Sequence, residues 1–151
     1  MTLCEAIPNL AQWDARILAT DLDTNMVANG KAGRYRADSL DGISKSMQGK
    51  YLQSSRPDGE GKVVMSDKLR QLITFKQLNL LGQWPMKGPF DAIFCRNVMI
   101  YFDMKTKSAL VDRYAGLLPI DGWLYVGHSE SLLEGNRHFK LEGRTIYRKV
   151  A

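Results

Sequence analysis

The stretch FDAIFCRNVMIYFD, residues 90–103, constrains the chain more than any other. Phe90, Ala92, Ile93, Phe94 and Cys95 make a nearly unbroken apolar run of the length of a buried strand. Arg96 and Asn97 follow at once, and Tyr101-Phe102 comes soon after. A core strand that runs straight into a cation, an amide and a phenol carries its polar groups to the rim of a sheet. The pattern recurs along the chain. Arg16–Thr20 is a short apolar strand ending in Asp21-Leu22-Asp23. Leu72–Leu80 is a further strand that ends at Asn79, and Trp123–Val126 runs into Gly127-His128-Ser129-Glu130.

Helical patterns separate these strands. Thr24–Ala32 has a capping residue in Asp23 or Thr24 and a stop in Gly33. Met104–Leu118 alternates charge with Leu, Val, Tyr and Ala at helical spacing, and Pro119 and Gly122 end it. Leu3–Trp13 reads as the end of a helix broken by Pro8. Lys50–Met65 reads as a hairpin turning at Pro57-Asp58-Gly59, inside an otherwise irregular stretch over 34–68. Phe139–Leu141 and Thr145–Arg148 read as a closing hairpin around Gly143. Strands alternating with helices predict an α/β fold with a mostly parallel sheet. Such sheets bind ligands beyond the carboxyl ends of their strands. A carboxylate there, Asp21, can hold ribose hydroxyls, or it can simply cap a helix. An amide there, Asn79, can address an adenine edge, or it can serve a turn.

The chain has 151 residues, enough for one domain with a core. Its 44% hydrophobic and 25% charged residues are ordinary for a soluble protein, and no apolar run approaches the roughly 20 residues of a membrane span. MTLCEAIPNLAQWDAR lacks a basic start and carries Glu5, so it does not read as a secretory signal. Cys4 and Cys95 lie far apart in apolar surroundings, which suits reduced thiols in the cytoplasm. Residues 31–89 hold eleven basic and five acidic side chains, a balance of +6, and so form the basic surface. That surface suits an acidic protein partner, an anionic membrane or no partner at all. No Lys/Arg run exceeds two residues, so nucleic acid is not expected. His128 and His138 have no third ligand nearby, so no metal is expected; His128 reads as a hydrogen-bonder or pocket wall.

GPFDAIFCRNVMIYFD, then GWLYVGHSES and a final TIYR, resembles the chemotaxis receptor methyltransferases of the CheR family. ILATDLDTNMVANGKAGRY and FKQLNLLGQWP resemble the earlier parts of the same family, so the likeness runs in order through essentially the whole chain. The resemblance implies a Rossmann-like sheet that binds S-adenosylmethionine, with a small antiparallel β subdomain inserted at about residues 45–68. It implies methylation of glutamate side chains on methyl-accepting chemotaxis receptors, giving methyl esters. Residue by residue, Asp21 matches the acid that holds the ribose. Asn79 and Leu80 match the pair beside the adenine, and Arg96 and Asn97 line the cofactor pocket. Tyr101 matches a tyrosine near the transferred methyl; on its residue type alone it reads as a core aromatic with a bonded tip. Residues from about Tyr51 to Met65 match a receptor-docking element. A monomer without membrane insertion is implied.

One departure stands out. Family members carry a Gly-Cys-Ser-Thr-Gly-Glu-Glu-like turn after a first strand, and no such stretch precedes Arg16. MTLCEA resembles the middle of the helix beyond that turn. The expectation is a partial domain lacking the first strand, the glycine loop and a helical domain, weakly active or inactive alone. The alternative is a non-catalytic receptor-binding remnant of the same fold. A methyltransferase of another substrate would leave the inserted hairpin without a purpose.

Overall fold

Every apolar run that ends in polar residues forms a strand in the computed structural model, which describes residues 1–53, 57–132 and 136–151. The order is α1 (Thr2–Ala6), β1 (Ile17–Asp21), α2 (Thr24–Ala32), β2 (Arg34–Arg36), α3 (Lys45–Tyr51), β3 (Lys62–Val64), α4 (Asp67–Arg70), β4 (Ile73–Gln77), β5 (Ala92–Cys95), α5 (Met104–Leu117), β6 (Trp123–Val126), β7 (Phe139–Gly143) and β8 (Ile146–Lys149). Short 3₁₀ turns lie at Leu10–Gln12, Ala37–Leu40 and Met99–Tyr101. The chain is therefore mixed α/β, and it divides into two compact units, Met1–Gln83 and Trp84–Ala151. Among the described residues no helix is long and apolar enough to cross a membrane.

In the first unit β1 and β4 pair in parallel, with Ile17 opposite Ile73 and Asp21 opposite Gln77. Between them the chain makes α2. Asp23 is its N-cap, accepting from Asn25 N at 2.7 Å, and Gly33 closes it at φ 64°, a left-handed conformation that suits glycine. Gly30 lets α2 lie close to β4: a Cβ there would stand 2.3 Å from Phe75 Cε1.

The region 34–68 is more regular than its sequence suggests. Lys50 and Tyr51 end a helix, α3, capped by Ser44, whose hydroxyl accepts from Met47 N at 3.3 Å. The first two residues of the expected Lys50–Met65 hairpin are thus helical; beyond them Leu52 and Met65 make an antiparallel bridge, and Gln53 N donates to Val64 O at 2.9 Å. The ladder partner of β3 is β2, antiparallel, with Tyr35 opposite Val63. Residues 54–56 of the expected hairpin lie outside the described residues. Leu40, Leu52 and Val63 form a buried cluster, with Met1, Tyr35, Ala37, Ile43 and Met65 packed on it. Tyr51 is fully buried, and its hydroxyl donates to Glu5, which also pairs with Lys50.

In the second unit four strands run in the order β5-β6-β8-β7. β5 and β6 are parallel, and β8 is antiparallel to both β6 and β7. Leu124 and Val126 of the central β6 are fully buried. Asp103 caps α5, accepting from Thr106 N at 2.8 Å. Leu110, Val111, Tyr114, Ala115 and Leu118 make one buried stripe at helical spacing. Lys149 Nζ donates to the carbonyls of Ala115 and Leu118, both at 2.8 Å, which satisfies acceptors that the helix end leaves open. β5 is not buried on both faces as its composition predicts. Cys95 is buried, but Ala92 and Phe94 point outward, and Phe94 stacks on Tyr125 with ring centroids 4.4 Å apart. Period-two alternation thus leaves one face of β5 open.

Candidate functional site

Parallel pairing brings the strand ends of each unit together. In the first unit the register that sets Asp21 against Gln77 carries on one step, with Leu78 N donating to Asp21 O at 2.9 Å. Asp21 is exposed at the end of β1, and its Oδ1 accepts from Asp23 N at 2.9 Å. It is not the helix cap; Asp23 is. The carboxylate of Asp21 is thus oriented by the turn and presented at the sheet end. Gln77 Nε2 donates to Leu22 O at 3.0 Å and ties the two strand ends together. Asn79 follows β4 and is exposed. Its Oδ1 accepts from Leu81 N at 2.9 Å, and its backbone carbonyl accepts from Gly82 N at 3.1 Å. The amide therefore shapes its own turn with its oxygen. Leu80 is half-buried beside it.

In the second unit Cys95 lies opposite Val126, so the residues after β5 meet those after β6. Arg96 Nη2 lies 3.3 Å from His128 Nδ1. A guanidinium only donates, so this is a hydrogen bond when Nδ1 carries no proton. Asn97 sits at φ 60°, a left-handed conformation uncommon outside glycine and concentrated at turns and sites. Val98 then leads into the 3₁₀ turn Met99–Tyr101, with Met99 buried and Tyr101 80% exposed. Tyr101 is therefore not a core aromatic: the turn holds its ring outside.

Glu130, which the sequence marks only as part of the polar stretch after β6, is the residue whose role sequence reasoning missed. It is 5% exposed, the single charged side chain buried among the described residues. Oε2 accepts from Gly127 N at 2.6 Å and Asn97 N at 2.8 Å. Oε1 accepts from Val98 N at 2.8 Å and Ile100 N at 3.2 Å. Burial raises the pKa of this carboxyl, and the four N–H donors outweigh it, leaving it below the ordinary value. Gly127 must be glycine here: a Cβ would lie 2.5 Å from Glu130 Oε2 and 2.7 Å from Asn97 Oδ1. The available signal was position, since Glu130 follows a buried strand in the same way as Arg96 follows one.

Deeper in this unit the Tyr114 hydroxyl donates to Cys95 Sγ at 3.1 Å. Burial pushes the Cys95 thiol up and the Tyr114 phenol well above its usual range. Cys4 and Cys95 are both free thiols. Among the described residues no three His, Cys, Asp or Glu side chains converge as a metal centre would need. His138 Nε2 instead lies 3.3 Å from Asp112 Oδ1. The first unit thus exposes a carboxylate and an amide at its strand ends, and the second exposes a cation, an amide and a phenol beyond β5.

Parallel strands that end in polar residues, as β1–β4 and β5–β6 do, are the pattern of domains that bind ligands at a sheet end. Comparison makes the class particular. Residues 1–148 match the family described as CheR methyltransferase, SAM binding domain. The chain is 43% identical over 149 residues to a probable chemotaxis protein methyltransferase of Rhizobium etli, covering 98% of this chain and 56% of that protein. It is 38% identical over 149 residues to the chemotaxis protein methyltransferase of Escherichia coli, covering 97% of this chain and 51% of that protein. A Pseudomonas aeruginosa protein, chemotaxis protein methyltransferase 2, is 35% identical over 150 residues, covering 97% of this chain and 52% of its own. The chain belongs to the CheR methyltransferase family, and S-adenosylmethionine is the cofactor that this family's domain binds. It spans about half the length of the curated relatives it matches.

Proposed function

We propose that the protein methylates glutamate side chains of methyl-accepting chemotaxis receptors in the cytoplasm, using S-adenosylmethionine and giving methyl esters. The observation that carries the reading is the set of polar residues at parallel strand ends in a chain of this family: Asp21 and Asn79 after β1 and β4, Arg96 and Asn97 after β5. The parallel pairs, and the antiparallel β8 beside β6, support a Rossmann-like methyltransferase sheet.

The residues divide the work. Asp21 accepts hydrogen bonds from the ribose hydroxyls, a role for which its exposed carboxylate is oriented by Asp23 N. Asn79 offers its NH₂ to the adenine edge, with Leu80 against the base. Arg96 and Asn97 line the cofactor pocket. Tyr101, exposed on its turn, aligns the reacting carboxylate through its hydroxyl. When bound, the cofactor supplies an electrophilic methyl group on a sulfonium. A glutamate carboxylate, with an ordinary pKa of about 4.3, is already ionised at neutral pH, so no general base is required. The protein's task is proximity, alignment and a fitting field.

The receptor docks through residues from about Tyr51 to Met65, within an antiparallel subdomain inserted at about residues 45–68, a reading that the antiparallel Leu52–Met65 bridge supports. The +6 balance over residues 31–89 favours an acidic receptor surface. The test is transfer of labelled methyl from S-adenosylmethionine to a purified cytoplasmic receptor fragment. The reading requires label that alkali releases as methanol, as a methyl ester does. Label that resists alkali, or none where a known family member labels the same fragment, overturns it.

A further inference from the structure

We propose that Glu130 is a positioning residue for methyl transfer: its buried carboxylate holds Asn97, Val98 and Ile100 by their backbone N–H groups and thereby fixes the loop that presents Arg96, Asn97 and Tyr101. The inference rests on the methyltransferase reading and extends it to a residue that touches no reactant.

The geometry is specific. One carboxylate spans two strand ends, taking Gly127 N from the end of β6 and three N–H groups from the end of β5. Without Glu130 those three donors on the β5 loop would have to find other acceptors, which is costly where they are shielded from water. The left-handed backbone at Asn97 and the start of the Met99–Tyr101 turn both lie inside this clasp. Gly127 leaves the room for it, since any Cβ there would strike the carboxylate. The result is a loop preorganised before ligand arrives, so less ordering cost falls on binding and on alignment of the methyl acceptor.

The test compares the protein with Glu130→Gln and Glu130→Asp by calorimetry with S-adenosylmethionine, by the split of kcat and KM in methyl transfer, and by amide hydrogen exchange. Glutamine keeps the shape but turns one acceptor oxygen into a donor, so at least one N–H loses its partner. The expected result is cofactor affinity about tenfold weaker in Glu130→Gln. A fall in kcat accompanies it, with faster exchange confined to Gly127, Asn97, Val98 and Ile100 while α5 and β6 keep their protection. Glu130→Asp retains charge but not reach, so it fails to restore either constant. Equal affinity and equal kcat in a folded Glu130→Gln protein overturn the proposal. Should the variants not fold, the unsubstituted protein decides. Without ligand, its amides at Asn97, Val98 and Ile100 must exchange as slowly as neighbouring strand amides, and exchange at open-loop rates overturns the clasp. If the unsubstituted protein binds no S-adenosylmethionine, the methyltransferase reading falls and the proposal with it; if it binds and Glu130→Gln binds equally, only the proposal falls.

Discussion

Tyr101 stands 80% exposed on a 3₁₀ turn, so deleting its hydroxyl takes nothing from a core. Tyr101→Phe should leave unfolding free energy within about 0.5 kcal/mol of the parent, the range usual for surface changes. Methyl transfer should nevertheless fall about tenfold or more if the hydroxyl aligns the reactants. Denaturant melts and a labelled-methyl assay on the same preparation separate the two effects. Glu130 makes a prediction of a different kind. Its folded pKa lies below the ordinary 4.5, so the unfolded chain binds the proton more readily and acid favours unfolding. Its contribution is complete above about pH 4.5 and is lost as pH falls through the lower folded value. Urea midpoints of the parent should therefore drop more steeply on acidification than those of Glu130→Gln; parallel curves would show that the carboxylate contributes no such term. Cys95 is buried, bonded to Tyr114 and pushed up in pKa, whereas Cys4 is partly exposed. A thiol reagent at pH 8 should modify Cys4 well before Cys95, read by peptide mass, because thiolate and access both govern reactivity.

At the scale of elements, α2 and β4 meet through Gly30, where a Cβ would lie 2.3 Å from the Phe75 ring. Gly30→Ala should destabilise the protein by about 1–3 kcal/mol through overpacking, despite alanine's better helix propensity. A denaturant midpoint that rises in the variant would contradict that packing. Elements like these were legible because local pattern dictates them. α2 is announced by Asp23 and Gly33, α5 by its stripe from Leu110 to Leu118, and β6 by an apolar run into Gly127. β2 was not legible. Arg-Tyr-Arg is too short to show a period, and its partner β3 lies far along the chain, so only tertiary pairing makes it a strand. α3 was hidden for a similar reason: Gly49 and polar residues weaken its signal, and burial of Tyr51 supplies what propensity lacks. The polar residues at the strand ends were readable: Asp21 ends β1, Asn79 follows β4, and Arg96 and Asn97 follow β5. Glu130 escaped because its partners are backbone N–H groups, which side-chain patterns do not record.

For the molecule as a whole, charge is the feature that reaches a partner. Residues 31–89 carry the basic excess, although Arg34, Arg36, Lys50, Lys62 and Arg70 each pair with a nearby carboxylate. Binding to an acidic receptor fragment should weaken several-fold as salt rises from about 0.05 M to 0.3 M, because screening shortens the reach of exposed charges. A salt-independent affinity would locate the recognition in apolar contacts instead. The central claim is narrower: we propose that Asp21, at the end of β1, holds the cofactor of this CheR-family chain. The measurement that meets it most directly is calorimetry with S-adenosylmethionine on the protein and on Asp21→Ala. The account predicts saturable one-site binding, weakened about tenfold or more without the carboxylate, as loss of a charge-assisted hydrogen bond requires. Unaltered affinity in Asp21→Ala, or no binding by the parent protein, would contradict it.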